Sequence, residues 1–213
     1  MKATVSVPLP YADAAQRDRA GQLGLWTFLA TEVLFFGGLF GSYVVLRHAY
    51  PVAFAAGSSH LSFAIGTTNT LVLLTSSLTM VCAVVFAEAG RRLAARASMG
   101  ATVALGTAFL ILKAIEYHDK YVEHFVPGSS FQAAPGEPPQ VQLFFFLYFA
   151  LTGLHALHML IGIGVVLWNE RRVAHAVADT PIGLSTELVG LYWHFVDCIW
   201  VFLYPLLYLV ARP

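Results

Sequence analysis

The sequence predicts an all-α, polytopic membrane protein whose five transmembrane helices form one bundle. Three observations lead there. Of the 213 residues, 58% are hydrophobic and only 11% are charged, about half the charged fraction of an ordinary soluble domain. The apolar residues gather in five stretches, each close to the roughly 20 residues a spanning helix needs. Between the stretches stand basic clusters and Pro/Gly-rich turns, which punctuate a chain that crosses and recrosses a bilayer.

Taken in order, residues 1–20 form a polar N-terminal arm. Asp13, Gln16, Arg17, Asp18 and Arg19 make it either a short surface helix or a disordered lead. The first apolar run starts only after this arm, so no cleavable signal peptide is expected. Residues 21–213 are read as one transmembrane domain with spans at 24–46, 65–87, 101–124, 141–168 and 188–210. The third has a clean apolar run only over 101–115 and is expected to continue to 124 as a helix rising out of the membrane. The fourth is long enough to tilt or protrude. Pro127-Gly128 and the run Pro135-Gly136-Glu137-Pro138-Pro139 make the loop before it either a set of ordered turns or a loose cover, not another span.

Lys+Arg and Asp+Glu balance at 12 each, so no net charge points to nucleic acid or an acidic partner. Cys82 and Cys198 both lie in apolar stretches, without the spacing of a disulfide framework or a metal site, and read as small buried residues. Basic residues set the orientation. Lys2, Arg17, Arg19, Arg91, Arg92, Arg96, Arg171 and Arg172 fall on one side of a five-span chain, and Arg47, Lys113, Lys120 and Arg212 on the other. The richer side is the cytoplasmic one, which places the N-terminus in the cytoplasm and the C-terminus outside. Glu116, Asp119, Glu123 and Glu137 then lie on the outer face.

Ionisable residues at membrane depth are costly and face protein or water. Here they are Glu32, Lys113, His155, His158, His194 and Asp197. At about 1.5 Å per residue, Glu32, His158, His194 and Asp197 fall about 9–15 Å from the cytoplasmic side, with His155 one turn deeper. They are expected to share one layer. His155 and His158 stand at i,i+3, as do His194 and Asp197, so each pair projects together and the second can close an intrahelical hydrogen bond. Glu32 has no basic neighbour on its own helix and either stays protonated or bonds a histidine on a facing helix. Three readings stand open for this layer: polar glue between helices, a metal or haem site, and a proton-active or lipid-contacting patch centred on Glu32. No Glu-x-x-His pair of the di-iron type is present.

Close helix contact needs small residues. Gly37 and Gly41, with Gly38 beside them, offer such a face on the first helix, and Gly153, Ala156, Gly162 and Gly164 on the fourth. Asn69, Ser76 and five neighbouring hydroxyls give the second helix one buried side. Lys113 and Glu116, at i,i+3 near the outer surface, read as a snorkelling lysine with a helical ion pair. Trp193 and Trp200 share a face one heptad apart and read as lipid or partner packing.

Five segments then read together. Gly24-Leu25-Trp26-Thr27-Phe28-Leu29-Ala30-Thr31-Glu32-Val33-Leu34-Phe35-Phe36 resembles the glutamate-bearing helix of subunit III of haem–copper oxygen reductases. Asn69-Thr70-Leu71-Val72-Leu73-Leu74-Thr75-Ser76-Ser77 is similar to that family's next helix, and Lys113-x-x-Glu116-Tyr117 to the end of the one after. Leu151-Thr152-Gly153-Leu154-His155-Ala156-Leu157-His158 resembles its double-histidine helix, and Tyr192-Trp193-His194-Phe195-Val196-Asp197-x-x-Trp200 its last. Order and spacing hold over residues 21–209.

The resemblance implies a function. Longer family members have seven helices, and this chain resembles the short forms of bacterial cytochrome c and quinol oxidases and of accessory proteins of nitric oxide reductases. In the long form the first two helices wall a lipid-filled cleft; here another subunit supplies that wall or it is missing. The family implies an accessory subunit of the aerobic respiratory chain, in the bacterial inner (plasma) membrane, without a redox centre of its own. It implies packing on oxidase subunit I, with subunit II and other respiratory subunits as further partners. Haem and copper belong to those partners; this chain binds membrane phospholipid and supports proton uptake and durability. By resemblance, the intramembrane glutamate is Glu32, the paired histidines are His155 and His158, and the last-helix motif falls on His194, Asp197 and Trp200. The competing expectation is a stand-alone redox or transport protein using the layer of Glu32, His155, His158, His194 and Asp197. The electron donor, cytochrome c or quinol, stays open.

Overall fold

The computed structural model describes residues 13–176 and 182–210. Lys2 and Arg212 of the charge count, and the first twelve residues of the arm, lie outside them. Among the described residues there are six helices and no strand: α1 (Ala14–Ala49), α2 (Pro51–Ser59), α3 (Phe63–Glu88), α4 (Arg92–Val122), α5 (Val141–His175) and α6 (Gly183–Tyr208). All but α2 are long and apolar enough to cross a membrane. The chain is thus an all-α membrane bundle of five spans, as its composition predicts.

Local chemistry sets the ends. Asp13 caps α1 by accepting the Gln16 N–H at 2.7 Å, so the described part of the arm continues the first span as one helix. Tyr50 leaves helical geometry because Pro51 follows it, and Pro51 then opens α2 at its first turn. Ser62 caps α3. Gly90, at φ +70°, reverses the chain between α3 and α4, a left-handed turn that favours glycine. The third span begins at Arg92 rather than 101 because this turn lies so early. Its first turns leave the apolar zone and tie to the end of α5: Arg96 Nε donates to Glu170 at 2.6 Å and Arg92 to the Ala176 carbonyl at 2.5 Å. Both basic clusters therefore lie on one side, as the two crossings between them, out on α4 and back on α5, demand.

The core is a ring of four helices, in which α3 touches α4 and α6 and α5 touches the same two; α1 leans on α5 and α6 from outside. Trp193 fills the centre. Its indole N–H donates to Ser76 at 2.8 Å. A Cβ on Gly106 would stand 2.7 Å from its ring, and one on Gly162 3.2 Å. Trp200 is also fully buried and donates to Thr70 at 3.1 Å. The reading of these tryptophans as lipid or partner packing is corrected: the small residues of α4 and α5 open the slot that takes Trp193 inside.

Exposure is inverted outside the ring. Leu34 is 77% exposed and Leu93 80%, positions a water-soluble bundle would make polar. α2, which the sequence reading did not anticipate, lies against α5. With α1 it closes the end of α6: Tyr43 donates to the Leu206 carbonyl and Ser58 to that of Leu207, satisfying carbonyls a helix end leaves open. The loop 123–140 is a set of ordered turns. Glu137 bonds His60 at 2.8 Å, and Phe125 stacks on Phe145 at 4.7 Å.

Candidate functional site

The site begins with the way α1 meets the ring. Leu29, Phe36 and Tyr43 are its buried large hydrophobics, one heptad apart, with Leu25, Leu39 and Leu46 partly buried beside them. That spacing gives a narrow seam of the coiled-coil kind. Glu32 occupies the same seam, where the pattern otherwise places a hydrophobe.

Glu32 is paired. Its Oε2 lies 3.1 Å from Nε2 of His158 on α5. The other ring nitrogen of His158 lies 2.9 Å from the Leu154 carbonyl one turn back, so the imidazole is held at both ends. Phe36 packs against this ring at 5.4 Å, and Tyr192 of α6 donates to the His158 carbonyl at 3.1 Å. Three helices therefore meet at one carboxylate–imidazole pair. Glu32 and His158 sit at an open groove of about 660 Å³, whose other walls are mainly Leu25, Phe28, Ile161, Leu188 and Tyr192. A carboxylate–imidazole pair can hold or pass one proton, and the walls suit an acyl chain.

The remaining ionisable residues of the expected layer lie elsewhere. His155, one turn along α5, points into the ring and is wholly buried against Phe109 at 5.4 Å and Trp200 at 5.2 Å. Neither of its nitrogens has a hydrogen bond among the described residues. His194 faces α3, where its Nδ1 lies 2.7 Å from the Ser77 hydroxyl. Asp197 is buried, and its oxygens make no hydrogen bond among the described residues; Ser77, already engaged by His194, is its hydroxyl neighbour. The expected intrahelical His194–Asp197 bond is thus replaced by a bond across helices. One layer becomes three environments: a groove, a packed centre and the α3/α6 seam. Among the described residues no three His, Cys, Asp or Glu side chains converge as a metal-ligand set.

The helix-contact residues divide too. Asn69 and Ser76 are fully buried, Ser76 under Trp193, while Asn69 has no hydrogen bond among the described residues. Gly153 lies beside Tyr117, 3.6 Å from where its Cβ would be. Gly37 and Gly41 make no close contact among the described residues: a Cβ on either meets nothing within 4 Å. Both point away from the seam that Leu29, Phe36 and Tyr43 define.

One cluster escaped the sequence reading. Lys113 does not snorkel; it is 3% exposed and Glu116 1%. Lys113 Nζ donates to Glu116 at 2.7 Å, Tyr208 at 3.0 Å and Tyr148 at 3.1 Å, which uses all three ammonium protons. Tyr208 in turn donates to the Glu116 carboxylate. The i,i+3 pairing was visible in the sequence, but not the tyrosines of α5 and α6 that draw it inward.

Fold and site define a multi-pass membrane protein in which polar pairs join helices. The chain belongs to the Cytochrome c oxidase subunit III family, whose profile matches residues 13–212. It is 32% identical to the Cytochrome c oxidase subunit 3 of Thermostichus vulcanus, over 89% of this chain and 87% of that one. It is also 32% identical to the protein of that name from Alkalihalophilus pseudofirmus, over 89% and 86%. A more distant relative, at 27% identity over 88% and 84%, is the Cytochrome bo(3) ubiquinol oxidase subunit 3 of Pseudomonas aeruginosa.

Proposed function

We infer that this chain is the accessory subunit III of a haem–copper oxygen reductase in a bacterial inner membrane, with its N-terminus in the cytoplasm. It carries no redox centre of its own; haem and copper reside in the larger subunits, of which subunit I is its main contact. The observation that carries this reading is the family match over nearly the whole chain. The site supports it, because Glu32 with His158 and His194 with Ser77 bond across helices. Glu32 and His158 fasten α1 to the ring, and the groove they floor takes phospholipid chains.

The test is co-purification from native membranes, followed by removal of this chain. A much larger haem-containing subunit is expected to come down with it. That subunit is expected to keep its haem after removal while its working life shortens. Loss of all haem on removal, or a Soret band in the isolated chain, contradicts the reading.

A further inference from the structure

The groove belongs to the site already described, but the opposite side of α6 carries a different feature. His194 lies midway along α6, about 16 Å from its start at 1.5 Å per residue, and Ser77 lies midway along α3. Both therefore sit within the apolar zone of the bilayer. His194 is partly exposed there. It lines a shallow groove between the two helices with Val81, Val85, Glu187, Gly190 and Leu191.

One ring nitrogen, Nδ1, is engaged by Ser77. The other, Nε2, makes no hydrogen bond among the described residues. Hydroxyls elsewhere on the lipid-facing surface are handled differently. Thr31, Ser42, Thr75 and Thr107 each donate to a carbonyl three or four residues back on their own helix. A polar group so folded back faces lipid without loss. The Nε2 of His194 makes no such bond to its own helix, and its Nδ1 is taken by Ser77. Within the hydrocarbon an acyl chain offers it no partner, and ionisable side chains at membrane depth face protein or a water-filled space.

We propose that the α3/α6 seam around His194 is the face on which a transmembrane helix of another oxidase subunit docks, presenting a hydroxyl, amide or carboxylate to His194 Nε2. The surroundings fit such a helix. Gly190 lets the floor of the seam sit low, since a Cβ there would stand 3.0 Å from Val84. Val81 and Val85, 44% and 53% exposed, form an apolar rim. Small residues with one interhelical hydrogen bond are the usual glue between helices in lipid. By contrast, the nitrogens of His158 are both engaged within this chain, so the α1 groove makes no such demand. This inference rests on the subunit reading above and names the face that serves it.

The test uses the assembled complex with a photoreactive benzoylphenylalanine at Val81 or, separately, at Leu34 on α1. Cross-linking from Val81 to another subunit is expected. A Val81 probe that yields no protein cross-link in an intact complex, or cross-links found only from Leu34, overturns the proposal. If no larger subunit co-purifies at all, the subunit reading fails instead, so the two failures are distinct. A second variant, His194→Phe, is expected to weaken retention of this chain during detergent washing by roughly three- to fifteen-fold, the range for one interhelical hydrogen bond in a membrane. His194→Gln, whose amide reaches the Nε2 position, is expected to restore most of it. Equal retention of wild type and His194→Phe overturns the role of Nε2.

Discussion

The bundle treats the carboxylates of Glu116 and Glu32 differently. Glu116 is closed in on every side: Lys113 and Tyr208 bond its oxygens, and Tyr148 and Trp200 cover Lys113. Glu32 has one histidine and an open groove. The enclosed site spans α4, α5 and α6 and joins three members of the ring. The open one joins α1, which only leans on the ring. The contrast separates structural charge from accessible charge. A carboxylate whose partners are complete has nothing left to offer, whereas one at a groove can meet lipid or exchange a proton.

Breaking the enclosed site is expected to have the largest effect. Lys113→Met leaves Glu116 buried without its cation, a change that costs about 3–5 kcal/mol when one partner of a buried pair is removed. The expected outcome is a sharp fall in folded yield and in the unfolding midpoint in detergent. The double change Lys113→Met with Glu116→Gln is expected to recover part of that loss, since no charge is then stranded. Equal stability of wild type and Lys113→Met contradicts a structural role.

Glycines sharpen the same contrast between inside and outside. Gly106→Val drives a side chain into Trp193 and is expected to destabilise the fold by about 1–3 kcal/mol through overpacking. Gly41→Ala meets open space and is expected to leave the thermal unfolding of the isolated chain unchanged or slightly raised, because alanine is the better helix former. Similar effects of the two changes would mean that Trp193 is not the centre of the bundle.

The open site is expected to respond more gently. Glu32→Leu removes the bond to His158 and loosens α1, at about 0.6–1.7 kcal/mol for an interhelical hydrogen bond in a membrane. Faster hydrogen exchange confined to α1 is the signature to look for. The smallest perturbation only asks which water each site faces. With Cys82 and Cys198 replaced by alanine, Leu93→Cys is expected to react with a membrane-impermeant reagent from the cytoplasmic side alone. Labelling in intact cells from outside reverses the orientation.

The five spans were legible because length and apolarity suffice to reveal a crossing. The bond from Glu32 to a histidine on another helix was legible as one of two outcomes, since a carboxylate in a run of Val33, Leu34, Phe35 and Phe36 has so few alternatives. Direction was harder. Helices that are apolar nearly all round lack a polar face to mark the outside. Gly37 and Gly41 therefore announced a close contact without saying that none of the described helices makes it. Trp193 and Lys113 failed for a related reason. Each owes its place to residues on other helices, Gly106 and Gly162 for one and Tyr148 and Tyr208 for the other. No spacing within one segment encodes those partners. α2 is too short for apolar periodicity, and only Pro51 hinted at its start.

The bond from Glu32 to His158 supports a fastening role for this carboxylate rather than delivery of protons to the catalytic subunit. Steady-state oxygen consumption against pH, measured on the assembled complex carrying Glu32→Gln, tests it most directly. The amide keeps the shape of the carboxyl and can still bond His158 while losing its ability to carry a proton. Assembly and a pH–activity curve that match the wild type from the acid to the alkaline limb are expected. Collapse of the alkaline limb with assembly intact would contradict it and make Glu32 part of a proton-uptake route.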